Sequence, residues 1–225
     1  MKNLAGASPI LALAVLAGCA HRSGGPADSH AALAAAAGVV RADAGKGPRD
    51  YRVIPLKSMS GDVEILYGDP ETPGEPFVMR IHELPGSIVP PHSHPVDENI
   101  TVVEGTWYFA LGDEFRKEGL QELKAGAYAF APKGSSMYGY SPDGAIVQIH
   151  GIGPFRIHWH GGLHSLDDPD AASVFHFARG TPVLVRGRSG RVTEGYASGK
   201  ILQYVIQTED GERIQANEDE MQPRP

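Results

Sequence analysis

The chain has 225 residues, 41% of them hydrophobic, and a formal net charge of −7. That length suits one large domain, or a medium one with a small companion. The acidic balance repels phosphate backbones and argues against nucleic acid as a partner, while Gly 28 and Pro 18 favour a turn-rich β protein over a helical bundle.

The N-terminus reads "MKNLAGASPILALAVLAGCA". Lys2 gives a short positive start, and Ile10–Ala17 is an unbroken apolar run. Such a run is too short to cross a bilayer and long enough for the core of a signal peptide. The run ends in "LAGC", which resembles the lipobox of bacterial lipoproteins. The resemblance implies removal of residues 1–18 and lipidation of Cys19. It also implies an anchor in the bacterial cell envelope, on the outer membrane or facing the periplasm. The bland alternative is an ordinary secretory signal cleaved near Ala20. Cys19 is the only cysteine, so no intramolecular disulfide is possible. No later segment is apolar enough to span a membrane, so the lipid is the only expected membrane contact. Residues 19–50 are rich in Ala and Gly and have few large apolar groups. They bury too little surface to offset chain entropy and read as a tether.

From Tyr51 to His160 short apolar segments recur between turn residues: "VEILYG", "PFVMRIHEL", "NITVVEGTWYFALG", "GAYAFAP" and "AIVQIHGIG". Several alternate with period two, which predicts strands closing into a sandwich or barrel. Residues 113–126, "DEFRKEGLQELKAG", are polar and helix-compatible and read as an insertion between strands. Residues 161–176 read as a linker. Residues 177–225 carry a second β pattern with an Asp-Gly hairpin turn in "TEDGER", predicting a second, small barrel. The expected fold class is all-β: a jelly-roll barrel followed by a small β-barrel.

Within the first barrel, "GSIVPPHSHPVDENITVVEG" holds His92, His94 and Glu98. On an extended chain residues two and four apart share a face. Two imidazoles and a carboxylate there suit iron, manganese, zinc or nickel, with positions open for substrate. The stretch resembles the first cupin motif, G-x5-H-x-H-x3-E-x6-G, at Gly86, His92, His94, Glu98 and Gly105. The wider likeness runs from about Tyr67 to Phe155. It implies a jelly roll with its site inside the barrel. The second motif, G-x5-P-x-G-x2-H-x3-N, is matched at Gly126, Pro132 and Gly134. Met137 stands at its histidine position and Ser141 at its asparagine position. A thioether suits Cu(I) and serves harder divalent ions poorly.

Three readings stay open. A three-ligand site holds a divalent metal; the barrel is metal-free and its polar groups bind a ligand or one another; or another residue completes the set. Candidates for that fourth position are His82, Gln148, His150, and Met137 itself if the metal is copper. His150 and Gln148 share a strand face and line the pocket if that face looks inward. Ligand histidines must be neutral, so metal affinity should fall below about pH 6. Phe109, Tyr138 and Tyr140 are the aromatic candidates to touch a small ligand. His158 and His160 form a second His-x-His, read as a strand end running into the linker. His176 is expected to pack at the start of the second barrel.

Function divides into two classes. One is a metal-dependent oxygenase or isomerase acting on a small polar molecule. Glu98 would serve there as ligand or base but not freely as both, and neither a separate base nor a Ser-His-Asp pattern stands out. The other is an envelope-anchored protein binding a small molecule or partner without catalysis. The C-terminal segment resembles Tudor-like or KOW-like small barrels, which implies a stabilising or partner-binding module. A homodimer is plausible by resemblance to cupins.

Overall fold

A computed structural model describes residues 52–54, 61–170 and 173–224. The signal segment, Cys19 and the tether lie outside the described residues. Among the described residues no helix is long and apolar enough to cross a membrane.

The first unit contains β1 (Arg52–Ile54), β2 (Gly61–Tyr67), β3 (Pro76–Glu83), β4 (Ser87–Ser93), β5 (Glu98–Leu111), β6 (Gln121–Lys124), β7 (Tyr128–Ala131), β8 (Met137–Ser141), β9 (Ala145–Ile152) and β10 (His158–Trp159). All pairings are antiparallel, in the order β1-β2-β3-β9-β5-β8-β4-β10, with β6 and β7 also on β5. The fourteen-residue β5 belongs to both layers of the barrel. It pairs with β7 and β9 through its first half and with β6 and β8 through its second. The change of layer falls at a bulge between Val102 and Glu104. Gly105 follows at φ +75, where a Cβ would sit 2.5 Å from the Gly144 carbonyl oxygen. Only glycine tolerates that conformation and that approach together.

The core fills the space between the layers. Val63, Phe77, Met79, Ile81, Ile100, Val102, Trp107, Phe109, Met137, Val147 and Ile149 are all buried there. The strict alternation of β3 and of the first half of β5 follows from this, since every second residue faces the core. Residues 113–126 depart from the helical expectation. They form one 3-10 turn at Lys117–Gly119 and then β6, which pairs with Thr106–Phe109. Extending β5's ladder satisfies backbone groups that a helix on this polar segment, with no apolar face to bury, would have to satisfy alone.

The second unit contains β11 (His164–Ser165), β12 (Pro182–Val185), β13 (Arg188–Ser198), β14 (Ile201–Thr208), β15 (Arg213–Asn217) and β16 (Met221–Pro223). The order is β15-β14-β13-β12-β16, with β11 on β13. The sheet wraps a core of Phe175, Val183, Val185, Val192, Tyr204, Ile206, Ile214 and Met221. The Asp-Gly turn joins β14 to β15, with Gly211 at φ +95. Part of the expected linker belongs to this unit: β11 pairs with Ala197 and Tyr196, and Phe175 lies edge-on to Tyr204. Burial of Phe175 and of the flanking Leu166 and Val174 against the core draws that segment in.

Gln203 joins the units. Its side-chain oxygen accepts the Ile88 N–H at 2.9 Å and the Gln215 side-chain amide at 2.5 Å. Its own amide donates to the Gly86 carbonyl at 3.1 Å, and the Gln215 backbone N–H donates to Pro85. These bonds satisfy the edge of β4 that faces away from β8. Gly86 sits at φ +88, and a Cβ there would lie 2.0 Å from the Gln215 carbonyl oxygen. Gly86→Ala should therefore lower unfolding free energy by more than the ~1–2 kcal/mol that left-handed backbone alone costs a non-glycine residue. Urea denaturation checks this, with Gly74→Ala, also at positive φ but with nothing near its Cβ position, isolating the steric part.

Candidate functional site

β4 carries His92, and His94 follows at its end; Glu98 opens β5. All three are buried, at 6%, 2% and 3% exposure. Each imidazole is anchored by one ring nitrogen. His92 Nδ1 lies 2.7 Å from the Pro90 carbonyl, and His94 Nδ1 lies 2.7 Å from that of Arg156. A carbonyl can only accept, so each Nδ1 carries the proton and each Nε2 keeps a lone pair. Aromatic rings hold the planes: Phe155 stacks on His94 at 4.2 Å, and Trp159 leans on His92 at 5.0 Å.

His94 Nε2 and Glu98 Oε2 face each other at 3.4 Å. Both are buried and neither makes a hydrogen bond to another group of the described chain. Burial pushes the Glu98 carboxyl up to about 8. Burial, and then the neighbouring His94 charge, hold His92 down at about 3; burial holds His94 at about 4. The site is thus a pair of neutral imidazoles beside a carboxyl that resists ionising.

This donor set fits a divalent ion in chemistry. Two donors ~2.1 Å from one ion, at angles between about 90 and 110°, stand roughly 3.0–3.4 Å apart, as His94 and Glu98 do. Geometrically the set is incomplete: among the described residues no group of three or more His, Cys, Asp or Glu side chains is gathered closely enough to hold an ion. His92 lies alongside, its ring centroid 4.8 Å from that of His94. Met137 is buried and stands directly across the ladder from His92, so the fourth corner of the site is a thioether.

The other candidates separate by strand alternation. Phe109 faces the barrel interior, stacked on Trp107. Tyr138 and Tyr140 point out of the barrel, one residue off the inward phase of Met137 and Gly139. Tyr138 packs edge-on to Phe115, and Tyr140 lies under the Lys117 ammonium at 5.1 Å. Neither lines the interior. His82, Gln148 and His150 also fall on outward positions. His82 pairs with Glu64 at 3.5 Å, Gln148 accepts from Arg80, and His150 is exposed. None of the three reaches the buried set, because β3 and β9 give their opposite phase to the core. His176 is likewise exposed, bonded to Glu218 at 2.6 Å.

The second His-x-His does fall at a strand end, and that strand is held in place. His158–Trp159 is a strand on β4, and it delivers Trp159 to His92. His160 Nε2 lies 3.3 Å from the Ser136 hydroxyl, and its Nδ1 lies 3.6 Å from Asp113. That brings serine, histidine and aspartate together, which their spacing in the chain did not suggest. At 3.6 Å, with Asp113 exposed, the last contact is no hydrogen bond and orients the ring weakly.

Sequence reading missed Phe155, Arg156 and Trp159 as the support of the histidines. The signal was present in "GPFRIHWH", where aromatics follow β9 at a spacing that lets the chain turn back under β4. It also missed the Trp107 indole N–H, buried without an acceptor among the described residues. The second motif's frame is tied to the first: Gly134 N–H donates to the His94 carbonyl at 2.7 Å, and Lys133 N–H to Asp97 at 2.8 Å.

No family model matches the chain, and no curated protein does. Solved structures do. An RmlC-like cupin from Shewanella frigidimarina is 16% identical, with a TM-score of 0.40 over 49% of this chain and 90% of that one. KdgF from Halomonas sp. is 18% identical, with a TM-score of 0.35 over 46% and 86%. The polyketide cyclase RemF from Streptomyces resistomycificus is 17% identical, with a TM-score of 0.43 over 56% and 89%. The fold class rests on the strands of this chain, and none of these likenesses assigns it a ligand or a reaction.

Proposed function

We propose that the first barrel is a cupin-type module that binds a divalent metal ion through His94 and Glu98, with His92 as third donor, and takes a small polar molecule beside it. The observation that carries this reading is the pair of buried, unbonded lone-pair atoms, His94 Nε2 and Glu98 Oε2, held 3.4 Å apart. Burying such atoms without a partner costs about 1–3 kcal/mol each; one cation answers both, in place of the proton that Glu98 otherwise carries. A bound ion would supply Lewis acidity toward a carbonyl or other oxygen of the ligand. The chain's own part is to orient the imidazoles through Pro90 and Arg156 and to exclude water. Among the described residues no separate base accompanies the set, so the function proposed is binding, and catalysis as an oxygenase or isomerase would require the ligand or a bound water to supply the base. Iron, manganese, zinc and nickel suit these donors; copper would have to use Met137.

Calorimetric titration of the chelator-stripped chain tests the reading, together with elemental analysis of the protein as purified. Absence of bound metal and of heat with each of the five ions would sink it. The pH dependence differs from that expected of free histidines. Both imidazoles stay neutral well below pH 6. The competing proton sits on Glu98, whose carboxyl titrates at about 8. Metal must displace it at every pH below that value. Apparent affinity should thus fall about tenfold per pH unit from pH 8 downward, with roughly one proton released per ion. Titration at pH 7 in buffers of different ionisation enthalpy counts that proton, and a count of zero contradicts the assignment.

Met137→His should tighten binding by ~10-fold or more, about 1.4 kcal/mol, since it returns an imidazole to the position opposite His92. The same titration reads it, and unchanged affinity would place the metal elsewhere.

A metal-free reading is favoured by one observation, the failure of three donors to gather around a point. On that reading the pocket binds a small molecule through the same groups. We further infer that the second sheet stabilises the barrel, which the Gln203 bonds support, and that Cys19 anchors the whole to the cell envelope. Mass spectrometry of the protein from its native membrane tests the anchor; an unmodified Cys19 would refute it.

A further inference from the structure

We propose that a cleft on the outer face of the second sheet binds a small organic molecule through one acidic group, a carboxylate or a phosphate ester, seated on Arg191. The cleft has a volume of about 730 Å³, within the ~300–1,000 Å³ usual for small-molecule sites. Arg179, Arg191 and Arg224 line it, with Glu209 as its one carboxylate.

The register explains why the cleft is there. Gln207, Arg191 and Pro182 stand opposite one another on β14, β13 and β12. Arg224 continues the row past the end of β16, its N–H donating to the Pro182 carbonyl at 3.0 Å. Directly opposed residues of antiparallel strands share a face. The next row, Thr208, Gly190 and Val183, is buried. Two long arginines thus flank a short proline ring, their backbones roughly 10 Å apart at ~4.8 Å per strand. The ring fills little of that gap and gives it an apolar floor. Arg179 closes the third side from the loop before β12, its guanidinium donating to the Thr193 carbonyl.

The three guanidiniums differ in what they already hold. Arg179 grips both oxygens of Asp167, at 2.7 and 2.8 Å, and Arg224 is paired with Glu209 at 2.7 Å. Arg191 donates to the Gly180 carbonyl at 2.9 Å, and among the described residues no carboxylate lies within ion-pair distance of it. The cleft therefore carries one uncompensated positive charge, oriented by a backbone carbonyl and with N–H groups to spare. A planar fork of that kind takes a carboxylate or a phosphate bidentately. A chain of net charge −7 repels anions over most of its surface, which makes a positive cleft the place where one settles. The same charge, with Asp167 and Glu209 at hand, disfavours an extended polyanion and selects a small ligand with a single acid group.

The test is an NMR titration of the chelator-stripped chain carrying Cys19→Ser, which prevents acylation, read at the backbone amide and arginine N–H resonances. The probes are benzoate, phenyl phosphate, inorganic phosphate and the uncharged benzamide. Stripping removes any metal that could hold an anion in the first barrel, so the result does not depend on that site. Benzoate or phenyl phosphate should shift Arg191 and its neighbours with a Kd of about 1 mM or tighter, and benzamide should not. The tighter of the two acids identifies the group recognised. Arg191→Gln should weaken binding roughly tenfold or more, as should Gln207→Glu, which sets a carboxylate opposite Arg191. Both positions are exposed, so the unfolding midpoint should hold. Arg80→Gln removes a guanidinium of the first barrel that is bonded to Gln148, and should change nothing. Silence with both organic acids up to about 20 mM, binding kept in either cleft variant, or an equal loss in Arg80→Gln overturns the proposal. Inorganic phosphate binding as tightly as either organic acid reduces the cleft to an adventitious ion site only, and overturns it as well.

Discussion

Replacing His94 by alanine should weaken divalent-metal binding by more than ~100-fold. Losing a group that merely supports a ligand already costs about 10–100-fold, and His94 is both the most buried imidazole of the set and the one facing Glu98. Its removal also leaves the Arg156 carbonyl without its donor and Phe155 without its stacking partner. Alanine alone therefore confuses loss of a ligand with loss of packing. Glu98→Gln separates them. The amide keeps the volume and removes the ionisable oxygen, so the barrel should keep its unfolding midpoint while metal affinity falls by a similar factor. Calorimetry and urea denaturation on the two variants read these separately. Full affinity in Glu98→Gln would show that the carboxylate is no ligand, and would leave a hydrogen-bonded pocket in place of a metal centre.

Gln203→Leu should be the most destabilising single change outside the two cores. Leucine fills a similar volume but strands the Ile88 N–H, the Gly86 carbonyl and the Gln215 amide at a buried junction. At about 1–3 kcal/mol for each group left unsatisfied, the loss amounts to at least ~3 kcal/mol, a large part of a typical domain's stability. The effect should reach the first barrel, because Gly86 leads into β4 and Ile88 belongs to it, on the same strand as His92. A drop in unfolding free energy accompanied by weaker metal binding is the expected pair of results. Undiminished stability would mean that the two units fold without reference to each other, and that the second is an appendage.

Much of the site was legible because it is local. The spacing of His92, His94 and Glu98 along extended backbone fixes their common face whatever surrounds it. The glycines of the motif carry backbone constraints that no other residue meets, and Gly86 and Gly105 both lie at positive φ against a neighbouring carbonyl. The departure at the second motif's histidine position was equally plain, since Met137 is read directly from the frame of Gly126, Pro132 and Gly134.

What the sequence left open depends on contacts between distant segments. Period two states that alternate residues share a face but not which face meets the core. His82, Gln148 and His150 therefore stayed candidates until β3 and β9 were seen to turn their opposite phase inward. The same ambiguity put Tyr138 and Tyr140 among pocket residues when one-residue phasing against Met137 turns both outward. Residues 113–126 carry a polar pattern compatible with a helix, and pairing with β5 decided for a strand because the ladder was there to extend. Part of the expected linker joined the second unit because β11 finds β13 and Phe175 finds Tyr204. By itself, then, the sequence determined the all-β class, the two units and the local donor set, because periodicity, turn chemistry and short spacings act within a few residues. The tertiary structure alone decided which faces are inside, what supports the histidines and how the second sheet grips β4, because burial and hydrogen bonding across the chain arise only once the strands have been brought together.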